Sequence, residues 1–273
     1  MRKYVACLCC FFILCLTMQT ANAQAAALNI PDLAAIQTAA EKGDVDAQYK
    51  LAVMHIYGLN VPQDDVKAVQ WFEKAAEQGH PEAQLLLGAM YANGQGVPKD
   101  EAKAVQWFEK AAEQRHPEAQ FELAWMYANG QGVPKDEVRA VQWFEKAAEQ
   151  GHAEAQFELA WMYANGQGIP KDEAKAAQWC EKAAEQGHDE AQFNLGMAYY
   201  IGRGVPKDEA KAMQWYQKAA EQGHAEAQYE LGWIYLFIGK NQQAGCHLLR
   251  LSAEQGNKEA IGMCKEFCVN GKK

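Results

Sequence analysis

Serine and threonine are nearly missing from the chain beyond residue 23. Ser252 is the only serine and Thr38 the only threonine in residues 24–273. A catalytic serine needs a strained turn or a motif such as Ser-x-x-Lys, whereas Ser252 begins Ser-Ala-Glu-Gln. The sequence therefore argues against serine-based catalysis.

The chain also lacks an excess of positive charge, because its formal net charge is −9. An acidic protein repels the phosphates of nucleic acids and the headgroups of anionic lipids. The charge balance therefore argues against nucleic-acid and membrane-surface partners.

Long apolar runs are missing except at the N-terminus. The run over residues 5–18 follows Arg2 and Lys3 and is shorter than a membrane-spanning helix needs to be. Small residues at Ala21 and Ala23 then offer a signal-peptidase site before Gln24. This arrangement is typical of a cleaved signal peptide, residues 1–23, whose removal takes two positive charges and leaves a net charge of −11.

We expect a periplasmic or secreted protein with no membrane insertion after cleavage. Two alternatives remain for the N-terminus. One is a retained membrane anchor. The other is a lipoprotein signal at Cys15, which is disfavoured because the residue before it is Leu14 rather than a small side chain.

Period-two alternation of apolar and polar residues is absent, so we predict no β-sheet. What the chain has instead is a 36-residue repeat. The stretch Phe121–Gly132 returns unchanged at Phe157–Gly168, and residues 115–150 match residues 151–186 at 29 of 36 positions. Self-similarity at this period predicts a stack of identical small units.

Glycine, or arginine in one case, opens each unit. We divide the chain into a lead-in with a capping helix over residues 24–42, six repeats, and a C-terminal capping helix over residues 256–273. The repeats are residues 43–78, 79–114, 115–150, 151–186, 187–222 and 223–255.

Each repeat contains two helices, A and B, which the second repeat illustrates. Pro81 suits the first turn of helix A, and Asn93-Gly94 ends that helix. Asp100 is placed to cap helix B, whose buried stripe includes Val105 and Phe108. The same pattern places Cys180 of the fourth repeat at a buried position.

The recurring residues resemble those of the Sel-1-like repeat, a relative of the tetratricopeptide repeat. In the third repeat they are Ala119, Leu123, Ala124, Tyr127, Gly130, Gly132, Pro134, Asp136, Arg139, Ala140, Trp143, Phe144, Lys146, Ala147 and Ala148. The resemblance covers about residues 39–256. It implies an all-α, right-handed α/α superhelical solenoid of about six helix-turn-helix repeats with helical caps. It also implies a non-catalytic adaptor that binds other proteins and needs no cofactor.

The resemblance further implies that one face of each helix A lines a concave groove for a peptide or protein segment. Aromatic anchors with a few polar groups suit such a ligand. The alternative is that the aromatic residues pack against the next repeat. The predicted contact residues are Phe121, Trp125, Asn129, Phe157, Trp161, Asn165, Phe193, Tyr200, Tyr229 and Trp233.

A cysteine-rich branch of the same family pairs two cysteines in each repeat and is linked to β-lactam binding or hydrolysis. This chain lacks the repeated pair. Its many carboxylates recur in every repeat on solvated faces, which argues against paired acid/base catalysis. We therefore expect no enzyme activity. Recognition of muropeptides or β-lactams, as a cell-wall-related binder or hydrolase, is the alternative function.

Five histidines recur 36 residues apart: His80, His116, His152, His188 and His224. Successive repeats lie at least one helix diameter apart, about 8–10 Å, whereas metal ligands lie about 2 Å from a zinc ion. Neighbouring histidines therefore cannot share an ion. We interpret them as turn residues at the start of helix A and predict no metal site.

The mature chain keeps four cysteines. Cys180 occupies a core position. Near the C-terminus, we predict that Cys246 forms a disulfide with either Cys264 or Cys268, which would secure the last helix in an oxidising compartment.

Overall fold

The computed structural model describes residues 33–268, which contain fourteen α-helices and no strand. The predicted all-α repeat solenoid is confirmed. The predicted signal peptide lies outside the described residues. The helices are α1 Leu33–Glu41, α2 Val45–Tyr57, α3 Asp65–Glu77, α4 Pro81–Asn93, α5 Glu101–Glu113, α6 Pro117–Asn129, α7 Glu137–Glu149, α8 Ala153–Asn165, α9 Glu173–Glu185, α10 Asp189–Ile201, α11 Glu209–Glu221, α12 Ala225–Phe237, α13 Gln242–Glu254 and α14 Lys258–Phe267.

The chain forms two compact units, one ending at Gln150 and the other beginning at Gly151. Helices α1–α7 belong to the first unit and α8–α14 to the second. Within each unit, every helix packs on the next one along the chain. From α2 to α13, even-numbered helices are the A helices and odd-numbered helices the B helices.

Side-chain caps fix where the helices begin. In the third repeat Asp136 precedes α7, and its Oδ1 accepts a hydrogen bond from the backbone N–H of Arg139 at 3.0 Å. His116 precedes α6, and its Nδ1 accepts from the N–H of Ala119 at 3.4 Å. Histidine is the cap of α4, α6, α8, α10 and α12. The prediction that these histidines serve the start of helix A is confirmed.

Arg115 occupies a position with positive φ that the other repeats fill with glycine. Its φ is +66°, and its counterpart Gly151 has φ of +91°. Glycine adopts this left-handed region easily, and asparagine and aspartate adopt it occasionally. Other residues rarely do, because the Cβ crowds the backbone. The third repeat therefore contains a strained turn that the fourth does not.

In most repeats the core consists of a leucine from helix A and an aromatic ring from helix B. In the third repeat these are Leu123 and Phe144, both almost entirely buried. Small residues such as Ala124 allow the two helices to approach closely.

A ladder of buried glutamines links successive helix pairs, and sequence reasoning did not anticipate it. Gln84 donates from Nε2 to the carbonyl oxygen of Ala76 at 2.9 Å, and its Oε1 accepts from Gln114 at 2.8 Å. A buried amide needs partners of this kind. The same glutamine pair recurs between residues 78 and 48, 150 and 120, 186 and 156, 222 and 192, and 255 and 228.

At the C-terminal end, a disulfide joins Cys246 of α13 to Cys268, which follows α14. Of the two predicted pairings, the structure therefore contains the one with Cys268. Cys264 has a free thiol. Ser252 of α13 is fully buried and donates from Oγ to the carbonyl oxygen of Ala225 at 2.7 Å, so its hydroxyl has a structural role.

Candidate functional site: the helix A face and two clefts

In the first unit, the predicted contact residues differ in accessibility. Phe121 is buried, with its ring 5.7 Å from that of Phe144. Trp125 is half-buried and stacks on Phe121 at 6.4 Å, while its buried indole N–H has no acceptor among the described residues. Asn129 is exposed and donates to the carbonyl oxygen of Trp125 at 2.8 Å. Phe121 therefore packs beneath the Trp125 ring, away from solvent, and has almost no surface that a partner could contact.

In the second unit, α8 repeats this arrangement. Phe157 is buried and stacks on His188, with 4.6 Å between ring centroids. Trp161 is half-buried, and Asn165 is exposed and donates to the carbonyl oxygen of Trp161 at 2.8 Å. Both phenylalanine rings are buried within their own units, but Phe157 also lines the cleft described below.

The remaining predicted residues, on α10 and α12, are partly accessible. Phe193 is half-buried and stacks on His224 at 4.8 Å. Tyr229 and Trp233 are also half-buried, and Tyr200 is exposed. These residues lie beside two clefts, which we name the socket and the cup.

The socket is a cleft at two core positions where the fourth repeat has smaller side chains than the third. Cys180 of α9 stands where the other repeats have Phe72, Phe108, Phe144, Tyr216 and Leu249, and Ala177 stands where the third repeat has Val141. The smaller residues are not better covered. Cys180 is 8% exposed against 1% for Phe144, and Ala177 is 6% exposed against 4% for Val141.

The resulting cleft has a volume of about 250 Å³ and opens to solvent between α8, α9 and α10. Ala177 and Cys180 lie at its base, and Trp161, Met197 and Ile201 are among the residues that line its walls. Met197 is 39% exposed and Ile201 56% exposed. Exposed apolar side chains around an apolar cavity mark a surface suited to binding.

Cys180 does not have the properties of a nucleophile. Its thiol donates to the carbonyl oxygen of Ala191 at 3.2 Å, and burial raises its pKa to about 12, with a smaller contribution from the charge of Glu181. A reactive cysteine needs a lowered pKa. The prediction that Cys180 is a core thiol is confirmed, although the space around it was not anticipated.

The cup is a second cleft of about 240 Å³, between α10, α11 and α12. Its lining consists of Tyr200, Tyr216, Tyr229, Glu230, Trp233 and Ile234. Tyr216 is fully buried, and Glu230 is half-buried. Burial raises the pKa of the Glu230 carboxyl, since a charged group loses hydration there.

Sequence reasoning missed Ala177 and Glu230. The signal for the socket was available in the comparison of repeats, since Cys180 and Ala177 are both smaller than their counterparts in the third repeat. Glu230 gave no such signal, because Glu122 and Glu158 occupy the same position in the third and fourth repeats.

Within residues 33–268, no helix combines the length and the apolar character required to cross a membrane.

Two solved structures are similar to the chain in sequence and fold. One is a protective antigen present in uropathogenic Escherichia coli strains, with an SLR fold, 34% identity and a TM-score of 0.67. That match covers 87% of this chain and 60% of the antigen, so the chain spans well under the antigen's full length. The other is a Sel1 repeat protein from Oxalobacter formigenes, with 37% identity, a TM-score of 0.69 and coverage of 77% and 88% of the two chains.

A comparison with curated protein sequences returns no match. The Sel1 repeat model matches the chain six times in succession, at residues 45–80, 81–116, 117–152, 153–188, 189–224 and 225–257. Each match begins two residues after the repeat boundary that we set at glycine or arginine. With most of its length matched in this way, the chain belongs to the Sel1 repeat family.

Proposed function

We propose that the chain is a non-catalytic adaptor that binds a peptide or protein segment on its helix A face. Sel1 repeat proteins generally bind proteins, which supports the class of partner. The observation that carries the proposal is the socket, where the pattern of the other repeats would place a filled core.

The socket suits an apolar side chain of a bound segment. Its base is formed by Ala177 and Cys180, and its rim carries the exposed apolar side chains of Met197 and Ile201. Large-to-small changes in a core cost stability unless the space is refilled. An apolar side chain from a partner would refill it and would add the burial of the rim.

Polar groups at the same opening support an extended segment. Asn165 and Asn194 are among the lining residues, and Arg203 also borders the cleft. The side chain of Arg203 lies 3.4 Å from Glu173 Oε1. Amide groups beside an apolar cavity are suited to hydrogen bonds with a peptide backbone. We assign the partner contacts to Trp125, Asn129, Trp161, Asn165, Phe193, Tyr200, Tyr229 and Trp233, with Phe121 and Phe157 as their support.

We also infer that the chain is exported and cleaved after Ala23. The support is the pattern of Arg2, Lys3 and the apolar run over residues 5–18. Mass spectrometry of the protein from bacterial envelope and medium fractions should find Gln24 at the N-terminus. An intact Met1 in a membrane-bound product would contradict this inference.

The function is tested by filling the socket. A library of random 12-residue peptides displayed on phage is selected on the purified chain, and the affinities of enriched peptides are measured by fluorescence anisotropy. The variant Ala177→Val/Cys180→Phe restores the residues of the third repeat. We expect it to unfold at a higher temperature than the parent and to bind the peptides at least tenfold more weakly.

Ala174→Val is the matched control, because it also restores a residue of the third repeat but lies on the exposed side of α9. It should bind as the parent does. A filled variant that folds and keeps full affinity would overturn the proposal, as would the failure of the parent to enrich any peptide.

A further inference from the structure

The cup combines aromatic faces with a carboxylate. Tyr200 from α10 and Tyr229 and Trp233 from α12 surround Glu230, with the ring of Tyr216 from α11 also lining the cleft. Tyr229 and Trp233 are four residues apart and therefore lie on one side of α12. The cleft is thus bounded by rings from three helices.

Glu230 is the unusual member of this group. It is half-buried, and no cationic side chain pairs with it anywhere in residues 33–268. Removing a carboxylate from water is costly unless an opposite charge compensates it. Several other carboxylates within residues 33–268 are close to lysine or arginine, such as Glu209, whose Oε1 lies 2.9 Å from Lys207 Nζ.

Aromatic faces with an adjacent negative charge attract cations, because the ring quadrupole and the carboxylate act in the same direction. The rings of this chain already take part in such contacts. Lys207 Nζ lies 5.7 Å from the centroid of the Tyr200 ring, and Lys182 Nζ lies 3.7 Å from that of Trp179.

We propose that the cup binds one lysine or arginine side chain of the docked segment, with Glu230 as its counter-ion and Tyr200, Tyr229 and Trp233 around its cationic group. This inference rests on the proposed function, because it specifies which residues the partner segment presents to the second unit.

The cup and the socket are close enough for one short segment to occupy both. Met197 and Ile201 line the socket and Tyr200 lines the cup, and all three belong to α10. Residues three apart on a helix are neighbours on its surface, about 5–6 Å between their Cβ atoms. The preferred ligand is therefore a segment with an apolar side chain and a cationic one a short distance apart.

The cup is tested without a partner by titrating the isotope-labelled chain with Nα-acetyl-lysine methylamide. Nα-acetyl-norleucine methylamide, which has the same aliphatic chain without the charge, is the matched probe. We expect the lysine probe to shift the indole N–H resonance of Trp233 in NMR spectra and the norleucine probe to leave it in place. Equal shifts with both probes would overturn the inference.

Three variants complete the test. Glu230→Gln should weaken the lysine probe at least tenfold, and Tyr200→Leu, at an exposed position, should weaken it severalfold. Glu254→Gln, which removes one exposed charge from α13, should bind the probe as the parent does. Thermal unfolding of each variant shows whether the fold is kept. If Glu230→Gln unfolds, the result for Tyr200→Leu decides, and unchanged binding by it would overturn the inference.

The peptide selection separates this inference from the proposed function. Enriched peptides that need the open socket but carry no lysine or arginine, and that bind Glu230→Gln as tightly as the parent, would overturn the cup and leave the adaptor function standing. Basic peptides that lose affinity in Glu230→Gln and keep it in the filled-socket variant would support the cup and overturn the socket.

Discussion

The third and fourth repeats are nearly the same sequence, yet the core of one is filled and that of the other is open. They differ at seven of 36 positions. Two of these differences, Val141 against Ala177 and Phe144 against Cys180, lie in the core of helix B. The fourth repeat keeps the helix lengths and the N-cap residues of the third, and at these two core positions its side chains are smaller. The comparison teaches that a repeat protein can open a cleft by having smaller side chains in one repeat while the helix bounds and caps stay the same.

The largest expected effect is on the core position that the two repeats fill differently. Phe144→Ala should lower the free energy of unfolding by roughly 3–5 kcal/mol, because it removes a fully buried ring. Cys180→Ala should cost about 1 kcal/mol, since it removes one buried heavy atom. Chemical denaturation of both variants measures the difference, and a loss for Phe144→Ala as small as that for Cys180→Ala would contradict a tightly packed core around Phe144.

A smaller effect is expected at the turn that opens each repeat. Arg115→Gly should raise the free energy of unfolding by about 1 kcal/mol, because it removes a Cβ from a residue with φ of +66°. The reverse change, Gly151→Arg, should lower it by a similar amount. If Arg115→Gly is neutral or destabilising, then the side chain of Arg115 contributes something that offsets its backbone strain.

The smallest expected effects concern two histidines that cap consecutive A helices beside the clefts. Burial lowers the pKa of His188, so its contribution to stability is present above the ordinary histidine pKa and is lost as the pH falls. For His224, burial opposes protonation, but the hydrogen bond from Nε2 to Glu190 at 3.1 Å and the charge of Glu190 outweigh it and raise the pKa. Its contribution is present at low pH and is lost as the pH rises through that raised pKa.

Replacing each of these two histidines with asparagine keeps a good N-cap. Between pH 8 and pH 5, the deficit in thermal midpoint of His188→Asn relative to the parent should shrink, and that of His224→Asn should grow. Deficits that change in the same direction would contradict the assigned shifts.

Much of the fold could be predicted from the sequence, because the helix caps, turn glycines and apolar positions recur in each repeat. The boundaries of α6 and α7, the caps at His116 and Asp136 and the burial of Phe144 all follow from local patterns. The glutamine ladder did not, because Gln120 and its partner Gln150 lie 30 residues apart and no local period connects them.

The candidate site was only partly predictable. The resemblance identified the side of helix A to examine, but the accessibility of each side chain depends on what packs against it. Phe121 packs on the ring of Phe144, whereas Phe157, opposite Cys180, stays buried and packs on His188. Whether that lost volume stays open or is closed by its neighbours is decided by packing, which the sequence does not display.

The central claim is that the core of the fourth repeat is open to small apolar ligands and that of the third is closed. Titration with indole, followed through the methyl resonances of the labelled chain, tests it directly. We predict that signals of Ala177, Met197 and Ile201 shift on addition of indole while those of Ala140 and Val141 do not. Unchanged Ala177, Met197 and Ile201 signals, or equal shifts in the two repeats, would contradict the account.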